Sequence, residues 1–401
     1  MGEDLDVVPQ RAGHGGDTPG RSTRRVQMPW SEAYAAARDT GPLPGEAVAA
    51  AEATGRVLAA PVCCARPVPA FDNAAMDGFA VAGDGPWTIR GRVLAGAVPD
   101  GLTVLPGTAV EIATGALVPG GASAVLPYED CRVSDGRVEG VRGPRDHIRR
   151  AGDDLAVGAV VVPAGRTVTA TVAAAAVQAG AFTVVVHRQP AVTLLVTGDE
   201  VITSGVPGPG QVRDTFTGLV TAVTARAGGV VESGRRLPDD PAALRAALEA
   251  AAGDVIVVSG SSSAGAADHL HGLLGDAGAT WLVRGVACRP GHPQALAVLP
   301  DGRFVVSLPG NPYAGLVAAL TLLEPLLAGL AGRPPRPLPS AVVTGGVKLM
   351  PGGVRIVPVD QDGVLAGAGS VGLHAAAAAG ALAVLPPDWV SGAPAPVLAV
   401  P

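Results

Sequence analysis

Past Pro190 the chain repeats one unit, an apolar run that ends in a polar loop and leads into a helical stretch, and few folds accommodate that repeat. Ala191 to Val196 ends at Thr197-Gly198-Asp199-Glu200; Leu219 to Ala227 then reads as helix and Gly229 to Glu232 as a second strand. Pro241 to Ala252 is amphipathic, with Asp239-Asp240 before its proline and Gly253 after it, the residues that start and stop helices. Asp254 to Val258 is a further buried run, ending at Ser259-Gly260 and the small residues up to Asp268. Arg303 to Ser307 ends at Leu308-Pro309-Gly310-Asn311-Pro312 before a long helix. Strands apolar on both faces belong between two helix layers, so the repeat predicts a parallel sheet covered on both sides.

In such sheets ligands bind beyond the carboxyl ends of the strands, where helix N-termini and backbone amides converge on anions. Three polar loops hold that position here. Gly260 and Gly265 let backbone approach a ligand, yet the loop is not a P-loop, since no Gly-Lys-Ser/Thr follows, nor a nucleophile elbow. Glu200 and Asp268 fall on neighbouring loops and have two readings: a carboxylate pair for Mg²⁺ against a phosphate, or a helix cap at Asp268 beside a solvated Glu200. Cys288-Arg289-Pro290-Gly291-His292-Pro293 reads either as an oxyanion loop, with Arg289 as a planar donor fork, or as a surface turn. His269 and His271 lack other groups at metal-ligand spacing and read as surface histidines.

The first 28 residues lack apolar periodicity and read as a tail. Arg24-Arg25 is followed by Pro29-Trp30-Ser31-Glu32 and not by an apolar stretch, so it does not read as an export signal. Ser31 is a candidate N-cap for a helix through Ala37, and Pro44-Gly45-Glu46 opens an expected second, Ala-rich helix ending at Gly55. Trp87 to Val162 consists of short β-branched runs broken by Gly and Pro. An Ala-rich helix from Val172 to Gly180 then leads to a boundary near His187-Arg188-Gln189-Pro190. Pro334, Pro335, Pro337 and Pro339 make a stiff linker to a β-rich C-terminal part. The apolar stretches Ala170 to Val186 and Ala314 to Leu330 are interrupted by Gln178 and Gly180 and by Glu324-Pro325, so both read as core and not as membrane spans.

A net charge of -6 without a dense Lys/Arg block excludes a nucleic-acid surface but leaves room for a local pocket for a small anion. Four scattered cysteines without a CxxC pair exclude a disulfide framework, and a reducing cytoplasm is the expected setting. In Phe71-Asp72-Asn73-Ala74-Ala75-Met76-Asp77-Gly78-Phe79, carboxylates and an amide flank small residues. That segment serves either a ligand or a turn in which Asp72 and Asn73 bond their own backbone and Gly78 is left-handed.

Taken in order, these motifs resemble those of the molybdopterin molybdenumtransferase family, over nearly the whole chain from Trp30 onward. The Asp72 to Ala80 segment resembles the family's D-N-S-A-M-D-G-Y-A signature, with Ala74 for Ser and Phe79 for Tyr. Ala113-Thr114-Gly115-Ala116 through Val125, Arg149-Arg150-Ala151-Gly152-Asp153-Asp154, Thr197-Gly198-Asp199-Glu200, Ser259-Gly260 through Asp268 and Leu308-Pro309-Gly310-Asn311-Pro312 are similar to its further motifs, and Gly369-Ser370 sits where the family offers a serine.

The resemblance implies a multidomain α/β plus β fold: a tail over 1–28, helical and β-rich N-terminal subdomains over 29–188, a central three-layer α/β domain over 189–332 that binds molybdopterin, and a C-terminal β-barrel over 333–401. It also implies a cytoplasmic homodimer with the active site between subunits, and contacts with other cofactor-biosynthesis proteins. The implied reaction inserts molybdenum from molybdate into adenylylated molybdopterin and releases AMP, with Mg²⁺ or another divalent cation. By position, Asp77, Asp154, Glu200 and Asp268 carry over as catalytic carboxylates, with Glu200 and Asp268 as the metal ligands. Thr114, Ser259, Gly260, Arg289, His292, Pro309, Gly310, Asn311 and Ser370 carry over as substrate contacts. Two positions depart from the family: Arg289 and His292 stand where its K-P-G-K-P loop has lysines, and Ser261-Ser262 where it has Gly-Val. A neutral His292 would leave one fixed charge in the loop, so a non-catalytic paralogue that carries pterin nucleotide is the alternative, with an unrelated nucleotide-binding α/β enzyme the third reading.

Overall fold

The computed structural model describes residues 27–98, 101–260, 266–366 and 372–401, with backbone alone for 266–268. Its centre is a six-stranded sheet in the order Val230–Leu237, Ala191–Thr197, Val255–Ser259, Phe304–Leu308, Ala295–Val298, Thr280–Val283. Because successive strand residues point to opposite faces, Leu194, Val257 and Val306 pack on one side against Phe216–Ala227 and the long helical stretch from Pro312 to Leu330. Leu195, Ile256 and Val258 pack on the other against Leu244, Leu248, Leu270 and Leu274 of the helices Pro241–Ala250 and Ala266–Asp276. Asp240 starts the first of these two helices by accepting from the Ala242 and Ala243 amides, as its sequence predicts.

The sheet is mixed and not purely parallel. The first four strands run parallel, but Ala295–Val298 is antiparallel to both of its neighbours. The reason is chain length: Val298 pairs with Phe304, and the residues between them are too few for a crossover, so they close a hairpin.

The expected helix after Pro44 is instead the strand Gly45–Ala49, paired antiparallel with Thr183–His187, followed by a short 3₁₀ turn over Ala50–Glu52. Alanine favours helix, but the β-branched Thr183-Val184-Val185-Val186 edge overrides that preference. A Cβ at Gly45 would lie 3.0 Å from Val185 Cγ1, so glycine lets the two strands close. The first helix is Trp30–Arg38; its N-cap position is Pro29 and not Ser31, with no side-chain cap bond. Between Asn73 and Arg149 lies a second six-stranded sheet that contains Gly78–Val81 and Thr108–Ile112. A five-stranded sheet holds the C-terminal strands in the order Cys288–Arg289, Val354–Val359, Ala381–Leu385, Pro394–Ala399, Ser340–Val342. Among the described residues no pairing joins its two outer strands. Its first strand comes from the loop that leaves the central sheet.

The two apolar stretches have separate fates. Ala170 to Val186 divides into the helix Ala170–Gln178 and the strand Thr183–His187. Pro312 to Leu330 is helical, with a π segment at Ala319–Leu323 ahead of Pro325, and its most apolar window is 83% buried. Thr321 within that segment accepts from the Trp30 indole at 3.0 Å, which pins the first helix to the central core.

Where the chain enters the central sheet, Arg188 grips Asp254 with two bonds of 2.8 and 2.6 Å, and Asp254 Oδ2 also accepts from the Ala191 amide at 2.9 Å. Burial alone would raise the Asp254 pKa, but the Arg188 fork and that amide outweigh it and hold the carboxyl below its usual range. The contribution of this pair is therefore present above the ordinary carboxylate pKa and is lost as pH falls through the lower folded value. Asp254→Ala should cost about 2 kcal/mol in urea unfolding at neutral pH. The gap from wild type should narrow in acid.

Candidate functional site

Three strand ends meet at the carboxyl edge of the central sheet. The buried Thr197 hydroxyl donates to the Ser259 carbonyl at 2.9 Å, and the Gly260 amide donates to the Leu308 carbonyl at 3.2 Å. This spacing depends on glycine: Gly260 has a φ of 90°, and a Cβ there would lie 2.5 Å from the Thr197 carbonyl oxygen. A Cβ on Gly310 would in turn lie 3.3 Å from Gly260 Cα, so the ends of the second and third loops nearly touch. Asn311 then caps the helix Pro312–Ala318 by accepting from Tyr313 and Ala314 amides at 3.1 Å each.

A cleft of ≈ 610 Å³ opens over these ends. Glu200, Gly260, Arg289, His292, Pro309, Gly310 and Asn311 all line it, so chain segments more than a hundred residues apart bring seven of the sequence-predicted site residues together. Ser259 does not join them: its side chain is fully buried, and among the described residues its hydroxyl has no hydrogen-bond partner. Its carbonyl, however, is what holds Thr197. Ser370 lies outside the described residues, as does the side chain of Asp268 in the helix Ala266–Asp276.

One wall of the cleft adds to Arg289 a residue that no motif contains, Arg355. Arg289 and Arg355 are register partners in a short parallel pairing between Cys288–Arg289 and Val354–Val359, so both guanidinium groups belong to the same end of the C-terminal sheet. Arg355 also lines the cleft, and its Nε is buried without a hydrogen-bond partner among the described residues. Tyr313 fixes this wall to the central helix by donating to the Ile356 carbonyl at 3.1 Å. Partial desolvation, and then repulsion from Arg289, lower the His292 pKa, so the imidazole is neutral at pH 7. The two cations of the cleft wall are therefore Arg289 and Arg355. A pair of planar donor forks suits a multiply charged oxyanion.

The other three expected residues, Asp77, Thr114 and Asp154, sit on exposed turns beside the N-terminal strands and do not line this cleft. Asp77 Oδ1 accepts from the Thr114 amide at 2.8 Å, which brings two motifs distant in sequence together. Asp154 is held by Arg149 at 2.6 Å. Asp72 does not close a turn on its own backbone: it accepts from the Ala151 amide at 2.9 Å and from Arg150 at 3.0 Å, and both bonds lower its pKa. Asn73 does bond locally, donating to the Phe71 carbonyl at 3.2 Å. Gly78 is not left-handed. It is small because a Cβ would collide with the backbone of Leu126 and Pro127, to which its strand pairs.

Metal binding has limited support from the described side chains, since no group of three or more His, Cys, Asp or Glu residues lies within reach of one ion among them. Mg²⁺ commonly takes one or two protein carboxylates and completes its shell with phosphate oxygens and water, and Glu200 offers one carboxylate to such a shell.

The chain resembles known proteins along most of its length. Residues 28–180 match the MoeA N-terminal region (domain I and II), and residues 193–329 match a probable molybdopterin binding domain. A protein of Mycobacterium tuberculosis named molybdopterin molybdenumtransferase 2 is 35% identical over 320 residues, which covers 74% of this chain and 78% of that one. The molybdopterin molybdenumtransferase of a Nostoc species is 31% identical, covering 70% and 68%. Among solved structures, a molybdopterin biosynthesis MoeA protein from Pyrococcus horikosii superposes with a TM-score of 0.77 at 26% identity, covering 94% of this chain and 99% of that one.

Gly260→Ala tests the close approach on which the cleft rests. A methyl group at that φ and distance should cost about 1–3 kcal/mol of stability. It should also weaken binding of anions in the cleft, as read by thermal unfolding and by titration calorimetry with molybdate.

Proposed function

The chain belongs to the molybdopterin molybdenumtransferase family, enzymes of molybdenum cofactor biosynthesis that insert molybdenum, and on that premise we propose that it transfers molybdenum from molybdate to adenylylated molybdopterin and releases AMP. The observation that carries this reading is the gathering of Glu200, Gly260, Arg289, His292, Pro309, Gly310 and Asn311 around one cleft at the carboxyl ends of the central strands. In this reading Arg289 and Arg355 hold the oxyanion, and the backbone amides of Gly310 and Asn311, two residues that line the cleft, face the phosphoanhydride. Glu200, with Asp268, would hold Mg²⁺, which supplies charge neutralisation at the phosphates. Neutral His292 accepts or donates one hydrogen bond without adding charge.

Asp77, Thr114 and Asp154 do not line the cleft of their own chain, and their carboxylate and amide groups sit on exposed loops. We assign them to the cleft of a second copy in a homodimer, and Ser370 remains a proposed substrate contact. The division into a tail (1–28), N-terminal subdomains (29–188), a central domain (189–332) and a C-terminal barrel (333–401) belongs to the same proposal, as do the cytoplasmic setting and contacts with other cofactor-biosynthesis proteins.

The second reading, a carrier that binds pterin nucleotide without turnover, draws on the neutral His292, which stands where the family's K-P-G-K-P motif, by resemblance, has lysine. Arg355 counts against it, because it restores a second cation to the same wall. Purified protein given adenylylated molybdopterin, molybdate and Mg²⁺ should release AMP in step with molybdenum transfer. Glu200→Ala should remove that turnover, and Arg355→Ala should weaken molybdate binding by ~10- to 100-fold, the loss of about 1.5–3 kcal/mol from a charged hydrogen bond. Tight nucleotide binding without AMP release would favour the carrier instead.

A further inference from the structure

Two buried side chains without an assigned role bracket the Arg289–Pro293 loop. Cys288 and Gln294 flank its ends, and both are fully buried. Gln294 Nε2 donates to Cys288 Sγ at 3.3 Å, and Cys288 Sγ donates to the Pro290 carbonyl at 3.2 Å. The Gln294 backbone amide donates to the Gly291 carbonyl at 3.1 Å. A relay of side chains thus crosses the base of a loop whose prolines, Pro290 and Pro293, have no amide hydrogens with which to stabilise it from within.

The arrangement has a visible cost. Gln294 Oε1 is buried without a hydrogen-bond partner among the described residues, so an apolar side chain of similar volume would fill the site more favourably. The glutamine is explained by what its other end does. Gly291, at a φ of 97°, packs so tightly that a Cβ would lie 3.3 Å from both Gln294 Nε2 and Val317 Cγ1; the amide and the Pro312–Ala318 helix set the loop's height between them. Cys288 is also the register partner of Val354, one residue before the Arg289–Arg355 pair, so movement of Cys288 passes along the ladder to both arginines.

We propose that Cys288 and Gln294 are positioning residues: their buried link fixes Arg289 directly and Arg355 through the strand pairing, and so sets the spacing of the two forks for an oxyanion. This inference rests on the reading of the cleft as an anion site. The two can fail separately, because wild-type protein that does not bind molybdate overturns the cleft reading, whereas wild-type binding that survives loss of the link overturns only the positioning role.

The test compares wild type with Gln294→Leu, Cys288→Ala and Cys288→Ser by molybdate calorimetry, steady-state kinetics and thermal unfolding. Gln294→Leu should keep or raise the unfolding temperature while KM for molybdate rises ~10-fold and kcat changes less than ~2-fold, the pattern of lost uniform binding. Cys288→Ala should raise KM in the same way while lowering the unfolding temperature, because it leaves the buried Gln294 Nε2 unpaired; Cys288→Ser, which keeps a donor for the Pro290 carbonyl and an acceptor for Gln294, should recover most of the affinity. An unchanged KM in folded Gln294→Leu and Cys288→Ala would overturn the proposal. So would losses of kcat and KM that follow the unfolding temperature in every variant, including Cys288→Ser.

Discussion

The distance between the strand ends at Thr197, Ser259 and Leu308 governs the candidate site. The Thr197 hydroxyl ties the first end to the second, and the Gly260 amide ties the second to the third. Both bonds exist because Gly260 and Gly310 remove the methyl groups that would keep these turns apart. Once the ends are joined, Glu200 at the first and Asn311 at the third line a common cleft, and the Asn311 side chain takes up the Tyr313 and Ala314 amides at the start of the helix behind it. The two packed faces of the sheet supply the rigidity, since strand residues such as Ile256 and Val257 are fully enclosed. A loop site on so stiff a scaffold needs few further supports.

The opposite wall is built differently. It depends on a short pairing between the loop that leaves the central sheet and a strand of the C-terminal sheet, which places Arg289 beside Arg355. Two like charges so arranged repel each other, and neither has an ion-pair partner recorded among the described residues. The unpaired Nε of Arg355 adds to that cost. A bound oxyanion would relieve both terms at once, which is the physical ground for reading this wall as a binding surface. Desolvation first, and repulsion from Arg289 second, depress the pKa of His292 beside this wall.

Much of this was legible before any coordinates. Buried runs such as Val255 to Val258 mark central strands because only a doubly covered sheet tolerates them, and Asp240-Pro241 marks a helix start through local chemistry. The Ala-rich stretch after Pro44 misled because propensity is weak against a β-branched partner strand that lies far away in sequence. The antiparallel hairpin at Ala295–Val298 could be anticipated only from the shortness of its turn. Arg355 carries no local signal, since it is one basic residue in a Val-rich run, and its place beside Arg289 exists only in the register of a sheet shared by two parts of the chain. Asp77 and Thr114 are legible singly, through resemblance alone; the 2.8 Å bond that joins them has no signal in the sequence. Gly78 shows the reverse case, a glycine recognised correctly but for a conformation it does not adopt.

The central claim is that the space between the joined strand ends and the Arg289–Arg355 wall receives the oxyanion. Anomalous diffraction at the molybdenum edge from crystals soaked in molybdate tests it most directly. A peak in this cleft is expected, placed so that the molybdate oxygens around it lie within hydrogen-bonding distance of both guanidinium groups. A molybdenum peak elsewhere on the protein, with this cleft filled only by water, would contradict it.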